Sequence, residues 1–302
     1  MTRAWRDVGQ LPATFTPRCV VARPDGTGLV CGKQQGEAAI YRADRAAVDR
    51  VFAGTGQAVA AAFDPTVTAW SVVGTRKAED AEGSTYALWK AEPPWEAWSD
   101  MGPIPGESAT QVLPSPDGAI WVLGAHTLLR SIDGGQNWDA VPPPRQNDLN
   151  WVTDRLFLAG RHMVLGTPEG LFVAREGGEW GRRHVDGAHV RGLSGAIVAA
   201  RMGRETKLGR LEGAFVEWLG QVEGEMDPMA LVVEGRSMQM LGIPADPEKH
   251  PGLVLLEDQG TEKGFTTTLV RVPPWRDWMG IAGARGALAV SVTRTVMASE
   301  PQ

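Results

Sequence analysis

The stretch Trp121-Val122-Leu123-Gly124 is a short apolar run that ends in a glycine, and the same pattern recurs along the chain. These runs are rich in apolar and β-branched residues, which favour a buried β-strand. The glycines that end them follow one another at spacings of 42, 50, 42, 37 and 39 residues. They are Gly32, Gly74, Gly124, Gly166, Gly203 and Gly242. A seventh run, Ala289-Val290-Ser291-Val292, lacks the glycine. The chain is therefore a series of strand-like repeats.

Repeats of this length and content are typical of one architecture. Self-similarity at about 40–50 residues, with strands rather than helices, indicates a β-propeller in which each repeat is one four-stranded blade. No stretch shows sustained helical periodicity, and the 37 glycines and 21 prolines are spread between short strands as turn residues. The sequence therefore predicts a single all-β domain.

A second periodic feature supports the blade count. An aromatic residue follows two predicted strands and a turn in successive repeats, and its positions are Phe52, Trp98, Trp138, Trp180 and Trp218. Trp5 has a similar context, but no strands precede it to form a blade. Residues 275–298 supply three candidate strands, so the N-terminal strand is predicted to complete that last blade and close a ring of seven.

The predicted blade boundaries follow from these two features. They are residues 13–56, 57–106, 107–146, 147–186, 187–225, 226–274 and 275–302 together with 1–12. Within the third blade, residues 108–114, 119–124, 127–132 and 138–141 are the predicted strands. Pro116-Asp117-Gly118 joins the first two, because proline fixes φ while aspartate and glycine tolerate the left-handed conformation of a tight turn.

The segment Ser131-Ile132-Asp133-Gly134-Gly135-Gln136-Asn137-Trp138 resembles the Asp-box of bacterial-neuraminidase (BNR) repeats, with Asn137 where threonine is usual. The Asp133 carboxylate is expected to accept hydrogen bonds from backbone amides of the turn, while Trp138 packs between sheets. The resemblance implies a structural role for Ser131, Asp133, Gly135 and Trp138, away from any catalytic centre.

Similar repeats occur in sialidases, in sorting-receptor ectodomains and in photosystem II assembly and stability factors. A sialidase would need an arginine triad, a tyrosine nucleophile paired with a glutamate, and an aspartic acid as general acid. Tyr41 and Tyr86 both fall in predicted third strands, away from the central channel. We therefore expect a non-catalytic protein, nearest in type to the assembly factors.

Composition and charge indicate the class of partner and the cellular location. The chain has a net charge of −6, with Lys and Arg scattered singly, so nucleic acid is not an expected partner. The N-terminus has no apolar core of a secretion signal, and no run approaches the length of a membrane span. A cytoplasmic protein without membrane insertion is expected.

Cysteine and histidine usage predicts no metal site and no cofactor. Cys19 and Cys31 lie on the first two predicted strands and lack Cys-x-x-Cys spacing, and the five histidines form no cluster with metal-ligand spacing. Reduced thiols are the default in the cytoplasm, while a disulfide between the adjacent strands stays an open alternative.

Two insertions exceed what a blade needs, at residues 75–84 and 243–251, and both join predicted second and third strands. Such loops share one face of a propeller, and insertions collected on one face mark a binding face. The candidate protein-binding residues are Arg76, Lys77, Glu79, Asp80, Asp246, Glu248, Lys249 and His250. The sequence therefore predicts a scaffold or accessory subunit for an unidentified protein partner. Tolerated loop variation is the alternative.

A second class of function is a lectin or glycoside-hydrolase-like propeller that binds a glycan or another small molecule at the channel mouth. The candidate lining residues are Arg18, Gln111, Trp151, Arg191 and Trp278. Four tryptophans outside the outer-strand aromatic positions have either a surface role or a core-packing role: Trp95, Trp151, Trp275 and Trp278. A glycan site would require polar groups and an exposed aromatic converging in one pocket.

Overall fold

The computed structural model describes residues 5–23, 25–44, 46–76, 84–142, 155–159, 162–167, 170–174, 180–183, 189–194, 197–203, 205–212, 215–221, 226–234, 237–244, 254–258, 268–271, 278–282, 288–291 and 294–299. Every regular element within these ranges is a β-strand, which confirms the all-β prediction. In the same ranges no helix is long and apolar enough to cross a membrane.

The strands occur in successive groups along the chain. After β1 (Trp5–Gln10), the first sheet contains β2 (Phe15–Ala22), β3 (Gly28–Gln34), β4 (Glu37–Ala43) and β5 (Val48–Thr55). The second sheet contains β6 (Gln57–Phe63), β7 (Ala69–Arg76), β8 (Ser84–Ala91) and β9 (Trp98–Ile104). The third sheet contains β10 (Gln111–Pro114), β11 (Ile120–Leu123), β12 (Leu128–Ser131) and β13 (Asp139–Ala140).

The remaining groups follow the same order. The fourth sheet contains β14 (Arg155–Ala159), β15 (His162–Thr167), β16 (Gly170–Ala174) and β17 (Trp180–Arg183). The fifth contains β18 (His189–Ser194), β19 (Ile197–Met202), β20 (Glu205–Glu212) and β21 (Phe215–Gln221). The sixth contains β22 (Met226–Glu234), β23 (Ser237–Pro244), β24 (Val254–Asp258) and β25 (Thr268–Arg271). The last sheet contains β26 (Trp278–Ala282), β27 (Leu288–Ser291) and β28 (Thr295–Ser299).

Each sheet is an antiparallel meander in which a strand pairs with the next one along the chain. The last sheet takes its fourth strand from the other end of the chain, because β1 pairs with β28 from Trp5 opposite Ser299 to Gln10 opposite Thr295. Connections between first and second strands, and between third and fourth strands, lie at one end of a sheet, here called the turn end. All other connections lie at the opposite end, here called the insertion end.

The glycine-ended apolar runs are the second strands of their sheets. In β3, Leu29, Val30 and Cys31 are fully buried, and β11 is buried along its whole length. In the outer strand β5, by contrast, Phe52 is the one buried residue and the others are half-buried or exposed. A second strand has a strand on each side and a sheet against each face, so both of its faces require apolar side chains.

The hydrophobic core lies between neighbouring sheets. One cluster joins Leu29, Ile40 and Phe52 of the first sheet to Ala61 and Val73 of the second. Equivalent clusters join the second sheet to the third, the third to the fourth and the fourth to the fifth. A further cluster joins Phe15 and Val30 of the first sheet to Val290 and Val296 of the last sheet. Strands distant in sequence are thus held together by apolar packing.

Trp95 belongs to this core. It is 4% exposed, its ring centroid lies 5.2 Å from that of Phe63, and its indole Nε1 donates to the Val67 carbonyl oxygen at 2.9 Å. Of the two roles that the sequence leaves open for Trp95, the structure therefore supports core packing rather than a surface role. Trp151 and Trp275 lie outside the described residues.

The glycine of the second strand allows the first strand to approach closely. A Cβ atom built on Gly32 would overlap with the carbonyl oxygen of Thr16, and one on Gly124 would overlap with that of Ser108. In both cases the obstacle is backbone of the adjacent strand or of the segment that precedes it, which cannot move aside as a flexible side chain can. At Gly32 and Gly124 the absence of a side chain is therefore a packing requirement, whereas a Cβ on Gly203 would meet nothing within 4 Å.

The substitution Gly32→Ala is expected to lower the free energy of unfolding by about 2–3 kcal/mol, because the new methyl group must displace the backbone of β2. Gly220→Ala provides a matched control, since a Cβ on Gly220 of β21 meets nothing within 4 Å. Urea unfolding of both variants measures the difference. Equal stability of the two variants would contradict the close-approach explanation.

Candidate functional site

The structure places the predicted channel-mouth residues on first strands, insofar as it describes them. Arg18 is exposed and lies in a β-bulge of β2, between Pro17 and Cys19. Arg191 occupies the matching bulge of β18, and Trp278 begins β26 next to a similar bulge. The structure describes the backbone of these two residues but not their side chains. Trp151 lies wholly outside the described residues. A β-bulge changes the direction in which side chains point, so side chains at these positions do not follow the ordinary alternation between the two faces of a strand.

Gln111 has a structural task. Its side-chain Nε2 donates to the Leu156 carbonyl oxygen at 2.8 Å, and its Oε1 accepts from the Leu156 backbone N–H at 2.9 Å. The pair of bonds fastens β10 of the third sheet to β14 of the fourth. Among the described side chains no hydrogen bond joins Gln111 to Arg18, and a shared site at the channel mouth stays a prediction.

The two predicted binding loops begin and end at well-defined strands. Arg76 ends β7 and is paired with Ser84, the first residue of β8. Lys77, Glu79 and Asp80 lie between them, outside the described residues, as does the side chain of Arg76. The other loop joins β23, which ends at Pro244, to β24, which begins at Val254. Its four predicted residues are also outside the described part: Asp246, Glu248, Lys249 and His250.

The segment from Ser131 to Trp138 forms a turn organised around one carboxylate. Asp133 Oδ1 accepts from the backbone N–H groups of Gln136 and Asn137 at 3.0 and 2.9 Å, and from the Ser131 hydroxyl at 2.8 Å. Asp133 Oδ2 accepts from the Asn137 side-chain amide at 2.7 Å. The Asn137 side chain thereby supplies a donor where threonine is usual in the Asp-box pattern.

These donors change the acidity of Asp133. The backbone N–H and then the side-chain amide of Asn137, followed by the Ser131 hydroxyl, lower the pKa of Asp133 from 3.8 to about 2. Hydrogen bonds to an ionised carboxylate stabilise the charged form. The folded turn therefore prefers the ionised aspartate.

The same turn packs into the space between the second and third sheets. A Cβ on Gly135, which has a φ of +95°, would lie 2.6 Å from Leu88 Cδ2 of the second sheet. Trp138 packs against the cluster formed by the second and third sheets. The turn is thus a structural fastening, and its position at the turn end separates it from both insertions.

The substitution Asp133→Asn is expected to destabilise the protein at neutral pH and to lose that effect in acid. The folded-state pKa is depressed, so the contribution of the carboxylate is present above its unfolded value of 3.8 and disappears as the pH falls through about 2. The measurement is the difference in unfolding free energy between wild type and variant from pH 7 to pH 2. Asn137→Ala keeps the carboxylate but removes one hydrogen-bond donor, so the folded-state pKa of Asp133 should rise. The contribution of the carboxylate should then disappear at a higher pH than in the wild type. A difference that does not vary with pH would contradict the assignment.

Cys19 and Cys31 face each other across β2 and β3, and both are free thiols. The hydrogen bond with Cys31 lowers the pKa of Cys19, while the same bond and burial raise the pKa of Cys31 well above its ordinary value. Cys31 is fully buried and acts as part of the core. Within the described residues no group of three or more histidine, cysteine or acidic side chains is arranged to hold a metal ion.

One cleft was not predicted from the sequence. It has a volume of about 450 Å³ and lies between the first and second sheets near the insertion end, and we call it the rim cleft. Its lining residues are Phe52, Gly54, Thr55, Val73, Thr75, Thr85, Tyr86, Ala87, Trp89, Asp100, Gly102 and Pro103. The available signal was the presence of Gly54 and Gly102 on the outer strands β5 and β9.

No family model matches the sequence, and no curated protein matches it significantly. Solved structures do resemble it. A streptogramin B lyase has a TM-score of 0.70 at 10% identity, covering 100% of this chain and 98% of the lyase. YCF48 bound to D1 peptide has a TM-score of 0.64 at 14% identity, covering 99% and 97%. The WD40 β-propeller domain of Doa1 has a TM-score of 0.63 at 10% identity, also covering 99% and 97%.

These similarities identify the class of fold. Together with the repeated four-stranded antiparallel sheets, they show that the chain is a β-propeller. At such identities the resemblance extends to the fold alone. One of the similar structures is named as a lyase and another is bound to a peptide, so the shared fold does not define the function of this chain.

Proposed function

We propose that the protein is a non-catalytic scaffold or accessory subunit that binds another protein through its insertion end. The observation that carries this proposal is the pair of insertions, one between β7 and β8 and the other between β23 and β24. Each joins a second strand to a third, so both leave their sheets at the same end. YCF48, a propeller of similar fold, is bound to the D1 peptide in its solved structure, which supports a peptide-binding or protein-binding use of the architecture.

We further propose that the sheets are seven blades of one closed ring, with boundaries at 13–56, 57–106, 107–146, 147–186, 187–225, 226–274 and 275–302 plus 1–12. The pairing of β1 with β28 supports this closure. So do the hydrogen bonds from the Leu11 N–H to the Arg294 carbonyl oxygen at 2.9 Å and from Arg294 Nε to the Phe15 carbonyl oxygen at 3.0 Å. A closed ring holds its loops in place before binding, which reduces the ordering cost of association.

The turn around Asp133 supports a third part of the proposal, that the chain is a BNR-type propeller of the assembly-factor kind. The carboxylate accepts two backbone amides and fastens a turn between sheets. Nothing in this geometry exposes Asp133 to a substrate pocket, since both of its oxygens are occupied by the turn. The repeat motif therefore contributes rigidity, and recognition is left to the insertion end.

Replacing residues 77–83 by Asn-Gly is expected to abolish binding of the partner while preserving the fold. Arg76 and Ser84 are already a paired position of the hairpin, and Asn-Gly is a favoured two-residue hairpin turn. The tagged protein is purified gently from its native host and its co-purifying proteins are identified by mass spectrometry. A stoichiometric partner that is present with the wild type and lost with this variant is the expected result.

Ile132→Glu provides the comparison at the turn end. Ile132 is 68% exposed and lies between β12 and β13, so this substitution changes an exposed apolar side chain without altering either insertion. The partner should be retained by this variant. Loss of the partner with Ile132→Glu and its retention in the shortened-loop variant would assign binding to the opposite end. A wild-type protein that purifies alone would overturn the scaffold proposal and direct attention to glycans at the channel mouth.

A further inference from the structure

The rim cleft lies between one face of the second sheet and the first sheet. Val73 pairs with Ala87, Thr75 with Thr85 and Trp89 with Asp100. Cross-strand partners point to the same side of a sheet, and so do residues two apart along a strand. These side chains therefore form one continuous surface that is directed toward Phe52 and Gly54 of β5.

The cleft is open because small residues occupy its outer part. Gly54, Ala87 and Gly102 contribute little or no side-chain volume where the two sheets diverge. The next space along the chain, between the second and third sheets, is filled by Leu88, by Met101 and by the turn that contains Gly135. An open cleft is thus a property of these particular residues and is not required by the fold.

The position of the cleft links it to the proposed binding end. Thr55 ends β5, Thr75 lies one residue before the end of β7, and Thr85 is the second residue of β8. The Thr75 hydroxyl donates to the Thr55 carbonyl oxygen at 3.2 Å, and the Thr85 hydroxyl donates to the Thr75 carbonyl oxygen at 3.3 Å. The cleft therefore opens at the base of the first insertion, and its walls are held by bonds between strands.

The lining combines an aromatic floor with one negative charge. Trp89 and Phe52 form an edge-to-face pair with ring centroids 5.0 Å apart. Asp100, the charged residue of the lining, is exposed on the same face as Trp89, its cross-strand partner. Its Oδ1 accepts the Gly102 backbone N–H at 2.9 Å, and none of the ion pairs between described residues includes Asp100.

We propose that the rim cleft binds a segment of a partner protein through a lysine or arginine side chain of that segment. Such a side chain has an apolar stem that covers Trp89 and Phe52, and a cationic head that pairs with Asp100. An anionic ligand is disfavoured by Asp100. Two of the hydroxyls that could serve a neutral sugar, those of Thr75 and Thr85, already donate to backbone carbonyl oxygens. This inference rests on the proposed function and specifies its recognition chemistry.

A polypeptide segment suits the cleft because the neighbouring strands can guide it. β5 and β9 are the terminal strands of their sheets, so each has an edge without a partner strand within its own sheet. An extended segment can follow such an edge through backbone hydrogen bonds while one of its side chains enters the cleft. Backbone contacts supply general affinity, and the pairing with Asp100 selects the basic residue.

Selection of random nonapeptides displayed on phage against the full-length protein tests this proposal. Enriched peptides should share a lysine or arginine, and their labelled synthetic forms should bind in fluorescence anisotropy. Replacing that basic residue by glutamine should weaken binding about tenfold, as should Asp100→Asn in the protein, which keeps an acceptor for the Gly102 N–H. The two changes together should cost no more than either alone, because they remove the same pair.

Two further variants complete the experiment. Asp139→Asn removes one exposed charge from β13, outside the cleft, and should leave the affinity unchanged within about twofold. Ala87→Leu fills the cleft while keeping Asp100, and should reduce binding even if Asp100→Asn perturbs the local fold. Any one of three results would overturn the proposal. The enriched peptides share no basic residue, their affinity is insensitive to both Asp100→Asn and Ala87→Leu, or no peptide is enriched at all. Loss of the copurified partner in the shortened-loop variant would then still stand as independent support for the scaffold.

Discussion

Neighbouring sheets of a propeller diverge from the central axis outward, so the space between them widens and has to be filled by progressively larger side chains. In the second sheet, the first strand fills the narrow part of this space with four buried alanines: Ala58, Ala60, Ala61 and Ala62. Part of the wide space between the first two sheets is filled by aromatic rings. Phe52 contacts Trp89 and Trp98 edge to face, with centroid distances of 5.0 and 5.7 Å. The aromatic periodicity of the outer strands is a direct consequence of this geometry.

The same constraint explains both the fastening around Asp133 and the rim cleft. Between the second and third sheets, the outer space is filled by a turn, and a Cβ on its Gly135, which has a φ of +95°, would lie 2.6 Å from Leu88 Cδ2. Between the first and second sheets, the corresponding space is left partly unfilled. A filled space stabilises the packing between sheets, whereas an unfilled one leaves apolar surface available for a ligand. Differences between repeats are therefore more informative about binding than the features that they share.

Sequence patterns predict the parts of the structure that depend on neighbouring residues. The run before Gly124 identifies β11 because both faces of a second strand are apolar, and the turn residues around Asp117 mark where the chain reverses. Patterns fail where the partner is distant. Gln111 bonds to Leu156, 45 residues away on another sheet, and no local signal distinguishes this bridge from a ligand contact. Trp95 is similar, because its burial depends on the Val67 carbonyl oxygen and on Phe63. The rim cleft is even harder to predict from the sequence, because it arises from small residues contributed by three separate strands.

The two ends of the described sheets have different chemistry. At the turn end, aspartates accept backbone N–H groups within their own turns: Asp25, Asp44, Asp64, Asp117 and Asp133. Burial opposes ionisation of Asp64, yet hydrogen bonds from Thr66, Trp70 and the turn backbone lower its pKa. The Ser115 hydroxyl lowers that of Asp117.

Each of these carboxylates satisfies turn amides that would otherwise lack a partner, so this end is fixed by local bonds and has little capacity to adapt to a ligand. The insertion end has instead the long connections and the rim cleft. A rigid turn end opposite a variable insertion end is the arrangement expected of a scaffold, because recognition can change at the insertion end without disturbing the packing between the sheets.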